Sequence, residues 1–153
     1  MRKLLRATLA LALLLSLAAC GGKTEEGPAP FSPADAPALL GSGAFSEALE
    51  AIDTDTACAL YGIDATMVTD AAVYGSTGTT AEELAILTFT DTDAAQAALT
   101  ALGYRVEDRT ESMADYLPSE VSKLEKAVLE QRENTVLLVV ASDDDPVNEF
   151  LNK

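Results

Sequence analysis

The sequence predicts an α+β domain in which an antiparallel sheet of about four strands, from two hairpins, packs against one long helix with short flanking helices. Three features carry that expectation. Two pairs of β-branched and apolar runs are each separated by turn chemistry. The apolar period changes from two to nearly four after Phe89. Residues 136–140, Val-Leu-Leu-Val-Val, are apolar on both faces, which suits a strand in the middle of a covered sheet.

The chain opens with Met1-Arg2-Lys3-Leu4-Leu5-Arg6, a cationic start that runs into apolar residues 7–19 and ends in small side chains. This is the layout of a secretory signal peptide over residues 1–19. A spanning helix needs about 20 apolar residues, and this run is shorter. Leu17-Ala18-Ala19-Cys20 also resembles the bacterial lipobox. That resemblance implies a diacylglyceryl group on the Cys20 thiol and a mature chain that begins there. Residues 20–38 contain Pro28, Pro30, Pro33 and Pro37 without an apolar period, and read as a tether that holds the domain roughly 20–25 Å from the bilayer. The folded domain is then expected over residues 39–153.

Phe45, Leu49 and Ile52 recur at four and three residues and predict a short amphipathic helix. A second helix carries Ala57, Leu60 and Tyr61, with Asp53 or Thr54 as cap and Gly62 at its end. Residues 66–74 and 83–90 form the first hairpin across Ser76-Thr77-Gly78-Thr79-Thr80, with Met67, Ala71 and Val73 sharing one strand face. Thr90-Asp91-Thr92-Asp93 then supplies caps and first-turn carboxylates. The stripe Ala95, Leu99, Leu102, Val106, Met113 and Tyr116 keeps one register across Gly103, which predicts a single long helix; only Arg109 interrupts it. Pro118 ends that helix at Leu117, and a short one follows over residues 119–126. Residues 127–131 and 135–141 form the second hairpin about Arg132-Glu133-Asn134, with Asn134 expected to take the positive φ. In Asp143-Asp144-Asp145-Pro146 we read an N-cap followed by proline at the first helical position, and Phe150 and Leu151 dock this last helix.

Tyr61-Gly62-Ile63-Asp64, Ala72-Val73-Tyr74 with Ala81-Glu82-Glu83-Leu84-Ala85-Ile86, Tyr116-Leu117-Pro118-Ser119-Glu120 with Lys123-Leu124-Glu125-Lys126-Ala127-Val128, and Leu138-Val139-Val140 before Asp143-Asp144 follow one another in an order that resembles a family of small lipoproteins from Gram-positive clostridia, known only as a domain of unknown function. The resemblance covers roughly residues 60–145. It implies fold and location and transfers no catalytic or binding residue.

Charge and composition narrow the function further. Beyond the signal, seven basic residues face 25 acidic ones, a balance of −18. The charge therefore disfavours nucleic acid and anionic lipid as partners. With Cys20 acylated, Cys58 has no disulfide partner and is expected as a buried, inert thiol. The absence of histidine removes the commonest general base and metal ligand, and nothing marks a facing carboxylate pair of the kind a glycosidase uses. No cofactor is expected. The expectation is a non-catalytic module, anchored through Cys20 on the outer membrane face, that binds an envelope protein or a small ligand. Tyr74 and Tyr116, each near the end of an element, are the candidate contact residues. One alternative is calcium binding by the oxygen-rich runs at Asp143-Asp144-Asp145 and Asp53-x-Asp55, which lack the glycine and distal glutamate of a calcium loop. A carboxylate-dependent hydrolase is the other.

Overall fold

A computed structural model describes residues 27–153. The predicted signal segment 1–19, Cys20 and the first part of the 20–38 tether lie outside the described residues. The sheet is fully antiparallel and has five strands rather than four: β1 (Glu50–Ile52), β2 (Val68–Gly75), β3 (Glu83–Phe89), β4 (Val128–Arg132) and β5 (Thr135–Val140), in spatial order β1-β2-β3-β5-β4. Both predicted hairpins are present, and they meet along β3 and β5, which pair from Glu83 opposite Val140 to Thr88 opposite Thr135.

The extra strand replaces the helix expected from Phe45, Leu49 and Ile52. Phe45 and Leu49 pack in one core cluster and Ile52 in the other, so the three never share a face. A helix this short has little stability of its own, whereas pairing with β2 gives the segment backbone partners along a sheet edge. Ile52 approaches Gly75 so closely that a Cβ there would stand 3.0 Å from its Cδ1.

α2 (Thr54–Tyr61) is capped by Asp53, whose carboxylate accepts from Thr56 N–H at 3.0 Å, and ends at Gly62 in the left-handed conformation (φ 68°). α3 (Thr92–Tyr116) is continuous through Gly103, capped by Asp91 and stopped by Pro118. The short α4 (Val121–Glu125) leads into β4. Two details of the expected turns change. Glu133, not Asn134, takes the positive φ (50°), because the Asn134 side chain is committed to Phe89 carbonyl at 2.7 Å. α5 (Asp144–Leu151) is capped by Asp143, which places Pro146 third in the helix rather than first.

Each face of the sheet is covered. α2, α3 and α4 close one side over Val73, Ala85, Leu87, Val136 and Leu138. On the other side Leu84, Ile86, Leu137 and Val139 are covered by α5 and by the N-terminal segment through Phe31, Ala36 and Leu39. All six residues of β5 are buried, as their two-faced apolarity requires. The tether boundary therefore moves. Residues 31–38 belong to the fold, with Ser32 capping a 3₁₀ turn (Pro33–Asp35) that runs into α1 (Ala36–Leu40). Prolines in the first turns of these elements start helix rather than prevent it.

Phe31→Ala is expected to lower unfolding stability in urea by about 3–5 kcal/mol, the range for a buried phenylalanine. A change below about 0.5 kcal/mol, the scale of ordinary surface substitutions, would return this segment to a tether.

Candidate functional site

The main concentration of buried charge among the described residues lies where β3 begins. Strand alternation sends adjacent side chains to opposite faces, so Glu83 turns toward the helices and Glu82 toward the loops of the other layer. Both are buried. Glu83 receives the Tyr61 hydroxyl at 2.6 Å, Arg105 through Nε and Nη2 at 3.2 Å each, and Arg109 through Nη1. Arg105 and Arg109 stand one turn apart on α3 and reach the same carboxylate; Arg105 also lies over the Tyr61 ring at 4.9 Å. Burial, followed by the adjacent Glu83 charge, pushes the Tyr61 hydroxyl well above the usual phenol range, so it stays a donor.

Glu82 binds together parts of the chain that are remote in sequence. Its carboxylate accepts from Ser46 N–H at 3.0 Å and Ser46 Oγ at 2.8 Å, from the Ser142 hydroxyl, and from Lys123 Nζ at 3.2 Å. Burial pushes this carboxyl up, but the hydrogen bonds from Ser142, Ser46 and Lys123 together outweigh it and hold it below the ordinary value. Lys123 is also paired with Glu120 at 2.9 Å, and Glu120 in turn accepts from Ala81 N–H. Burial pushes the Lys123 ammonium down, and its two carboxylate partners more than reverse this. Beside them Glu47 accepts from Thr79 and Thr80 hydroxyls, both at 2.7 Å. Hydrogen bonds from Ser76, Thr79 and Thr80 hold its carboxyl at about 2.

Chemically this arrangement fastens loops to the sheet. Glu82 and Glu83 diverge and each is surrounded by donors, so they do not face each other across a cleft as a hydrolytic carboxylate pair must. The two tyrosines singled out from sequence are not brought together. Tyr74 is half-buried against the loop-side cluster, while Tyr116 is exposed at the end of α3, the helix on the opposite face. Asp53 and Asp143 accept from backbone N–H groups at their own helix starts, which accounts for the oxygen-rich runs as caps. Cys58 is free and buried, and burial pushes its thiol up.

Sequence reading passed over Glu82, Glu83, Arg105 and Lys123. Its one trace of them was Arg109, the charge that broke an otherwise apolar stripe. A cation on a core-facing stripe needs a buried partner, and the two adjacent glutamates leading into an apolar strand were the place to look.

Residues 42–141 match a protein-family model described as a domain of unknown function (DUF4358). No curated protein and no solved structure matches the chain.

The network makes stability pH-dependent. Glu82 and Glu47 titrate below their unfolded value of 4.5, so their contribution is fully present above that pH and is lost as pH falls through the folded values. Lys123, raised above 10.5, works in the opposite direction: its contribution is lost only as pH climbs through its folded value. Unfolding free energies measured between pH 6 and pH 3 should show Glu82→Gln about 3–5 kcal/mol less stable at pH 6, because Lys123 loses a buried partner. The variant should also show a shallower decline toward pH 3 than wild type. Two parallel curves would show that Glu82 carries no acid sensitivity.

Proposed function

The chain belongs to this family of unknown function, and from that premise we propose that it is a lipid-anchored, extracytoplasmic lipoprotein of the cell envelope. In this reading its domain is a non-catalytic module on the outer face of the membrane that binds an envelope protein or a small ligand. The observation that carries the proposal is the order of the first 20 residues: cationic start, short apolar run, Leu17-Ala18-Ala19, and then Cys20. The resemblance to small clostridial lipoproteins supports the same reading. A single acyl chain binds a membrane marginally, whereas the two chains of a diacylglyceryl group anchor it stably. No helix among the described residues is long and apolar enough to cross a membrane.

The geometry at the start of β3 supports a binding role over catalysis, since the buried carboxylates there are engaged in holding the loops Ser46 and Ser142 and the helices α3 and α4. Tyr116, exposed at the end of α3, is available as a contact.

Cell fractionation tests the anchor. Wild-type protein is expected in the membrane fraction carrying metabolically incorporated fatty acid, and Cys20→Ala is expected to lose both. In-cell crosslinking of the same pair should capture a partner with wild type that the mislocalised variant loses. Wild type recovered wholly as soluble, unlipidated protein would overturn the anchor, and a membrane-bound wild type that captured only background proteins would overturn the protein-binding half of the proposal.

A further inference from the structure

Arg132 fastens both ends of the described chain to one end of the sheet. Its side chain is almost fully buried, with Nε on Glu130 at 2.7 Å and Nη2 on Leu151 carbonyl at 2.8 Å. Nη1 reaches Ala29 carbonyl at 3.4 Å, and the guanidinium lies over the Phe31 ring at 4.3 Å. Phe31 stacks on Phe150, with centroids 6.2 Å apart, and donates its N–H to Thr135 Oγ1 at 2.9 Å. The N-terminal segment thus leaves the fold beside the β4–β5 turn, next to the C-terminus.

The opposite end of the molecule holds different elements. Strand pairing places Gly75, Glu83 and Val140 together there, roughly 17 Å along the strands from Thr135 at about 3.3 Å per residue. α3 runs the same way. Its start is held near the β4–β5 turn by Gln131 on Thr92 carbonyl, and the turn beyond its end is held at the far side by Glu120 on Ala81 N–H. Tyr116 and the loop containing Thr77 therefore lie at the end remote from Arg132.

We propose that the β4–β5 turn and the C-terminus are the bilayer-facing surface of the domain, and that the end bearing Tyr116, Thr77 and Glu47 is presented outward. The proposal rests on lipid anchoring at Cys20. Seven peptide links separate Cys20 from Gly27, and at 3.3–3.6 Å per residue they reach at most about 25 Å. A domain pivoting at Gly27 can turn its far end toward the lipid only when that link is nearly fully stretched, because otherwise the bilayer occupies the space.

The test uses full-length lipidated protein on vesicles that contain acceptor-labelled lipid, with a donor dye on Lys153→Cys or, separately, on Thr77→Cys. Cys58 is buried and does not compete for the dye. Energy transfer is expected to be about two-fold greater at position 153 than at 77, given a height difference of at least roughly 17 Å. Insertion of a long Gly/Ser stretch after Lys23 should abolish the difference, and Arg132→Ala should shrink it by freeing the segment that leads to Phe31. Flotation of the same samples separates the two levels of the proposal. If wild type does not float with the vesicles, the anchor is wrong and the orientation falls with it. If wild type floats and the two positions transfer equally, the anchor stands and the orientation is overturned; a difference that survives the insertion would overturn the short link as the cause of the orientation.

Discussion

Two adjacent glutamates at the entry to a buried strand set the terms for much of this structure. β3 is covered on both faces, so side chains that alternate across it cannot reach bulk water on either side. Glu83 carries its charge into the helical layer and Glu82 carries its own into the loop layer. An uncompensated buried carboxylate costs several kcal/mol, and the chain supplies a separate set of cations and hydroxyls to each. Arg105, Arg109 and Tyr61 come from α3 and α2; Lys123, Ser46 and Ser142 come from α4 and two loops. The same two residues thereby fix where α3 lies along the sheet and where the chain turns after β5.

A second constraint follows from β5. A strand with all six residues buried needs a layer on each side, and α3 can cover only one. The other cover is assembled from the two ends of the described chain: Phe31 with α1, and α5. Arg132 ties these ends together beneath the β4–β5 turn. Both covers are needed to keep Leu137 and Val139 from water as well as Val136 and Leu138. The N-terminal segment is consequently part of the core, and the link to the proposed lipid anchor is short.

The central elements were legible from sequence because their patterns are long and local. α3 shows its period over 25 residues, and the strands of both hairpins show theirs on either side of turn residues. The two-faced apolarity of residues 136–140 announced a central strand. β1 was not legible, since three residues at a sheet edge carry no period and Phe45, Leu49 and Ile52 mimic a helix turn while serving different cores. The Phe31 segment was missed because its prolines resemble linker composition, although they stand where helices begin. The candidate site was nearly invisible for a different reason: Glu82 and Glu83 stand 22 to 60 positions from the side chains that hold them, and only tertiary structure brings these to one strand end. Arg109 alone betrayed it. Tyr74 and Tyr116 were found by composition and element position, and neither carries information about the face on which it lies.

The most direct measurement of this account is a double-mutant cycle on Glu83 and Arg109, using Glu83→Gln, Arg109→Met and the pair, with stabilities from reversible urea unfolding. If the buried carboxylate is what holds α3 in place, the two sites are strongly coupled. The cycle should then give an interaction energy of about 1–3 kcal/mol, with the double variant much less damaged than the sum of the singles. Additive effects within about 0.5 kcal/mol would mean that apolar packing positions the helix without this ion pair. They would contradict the claim that the glutamates at the start of β3 organise the fold.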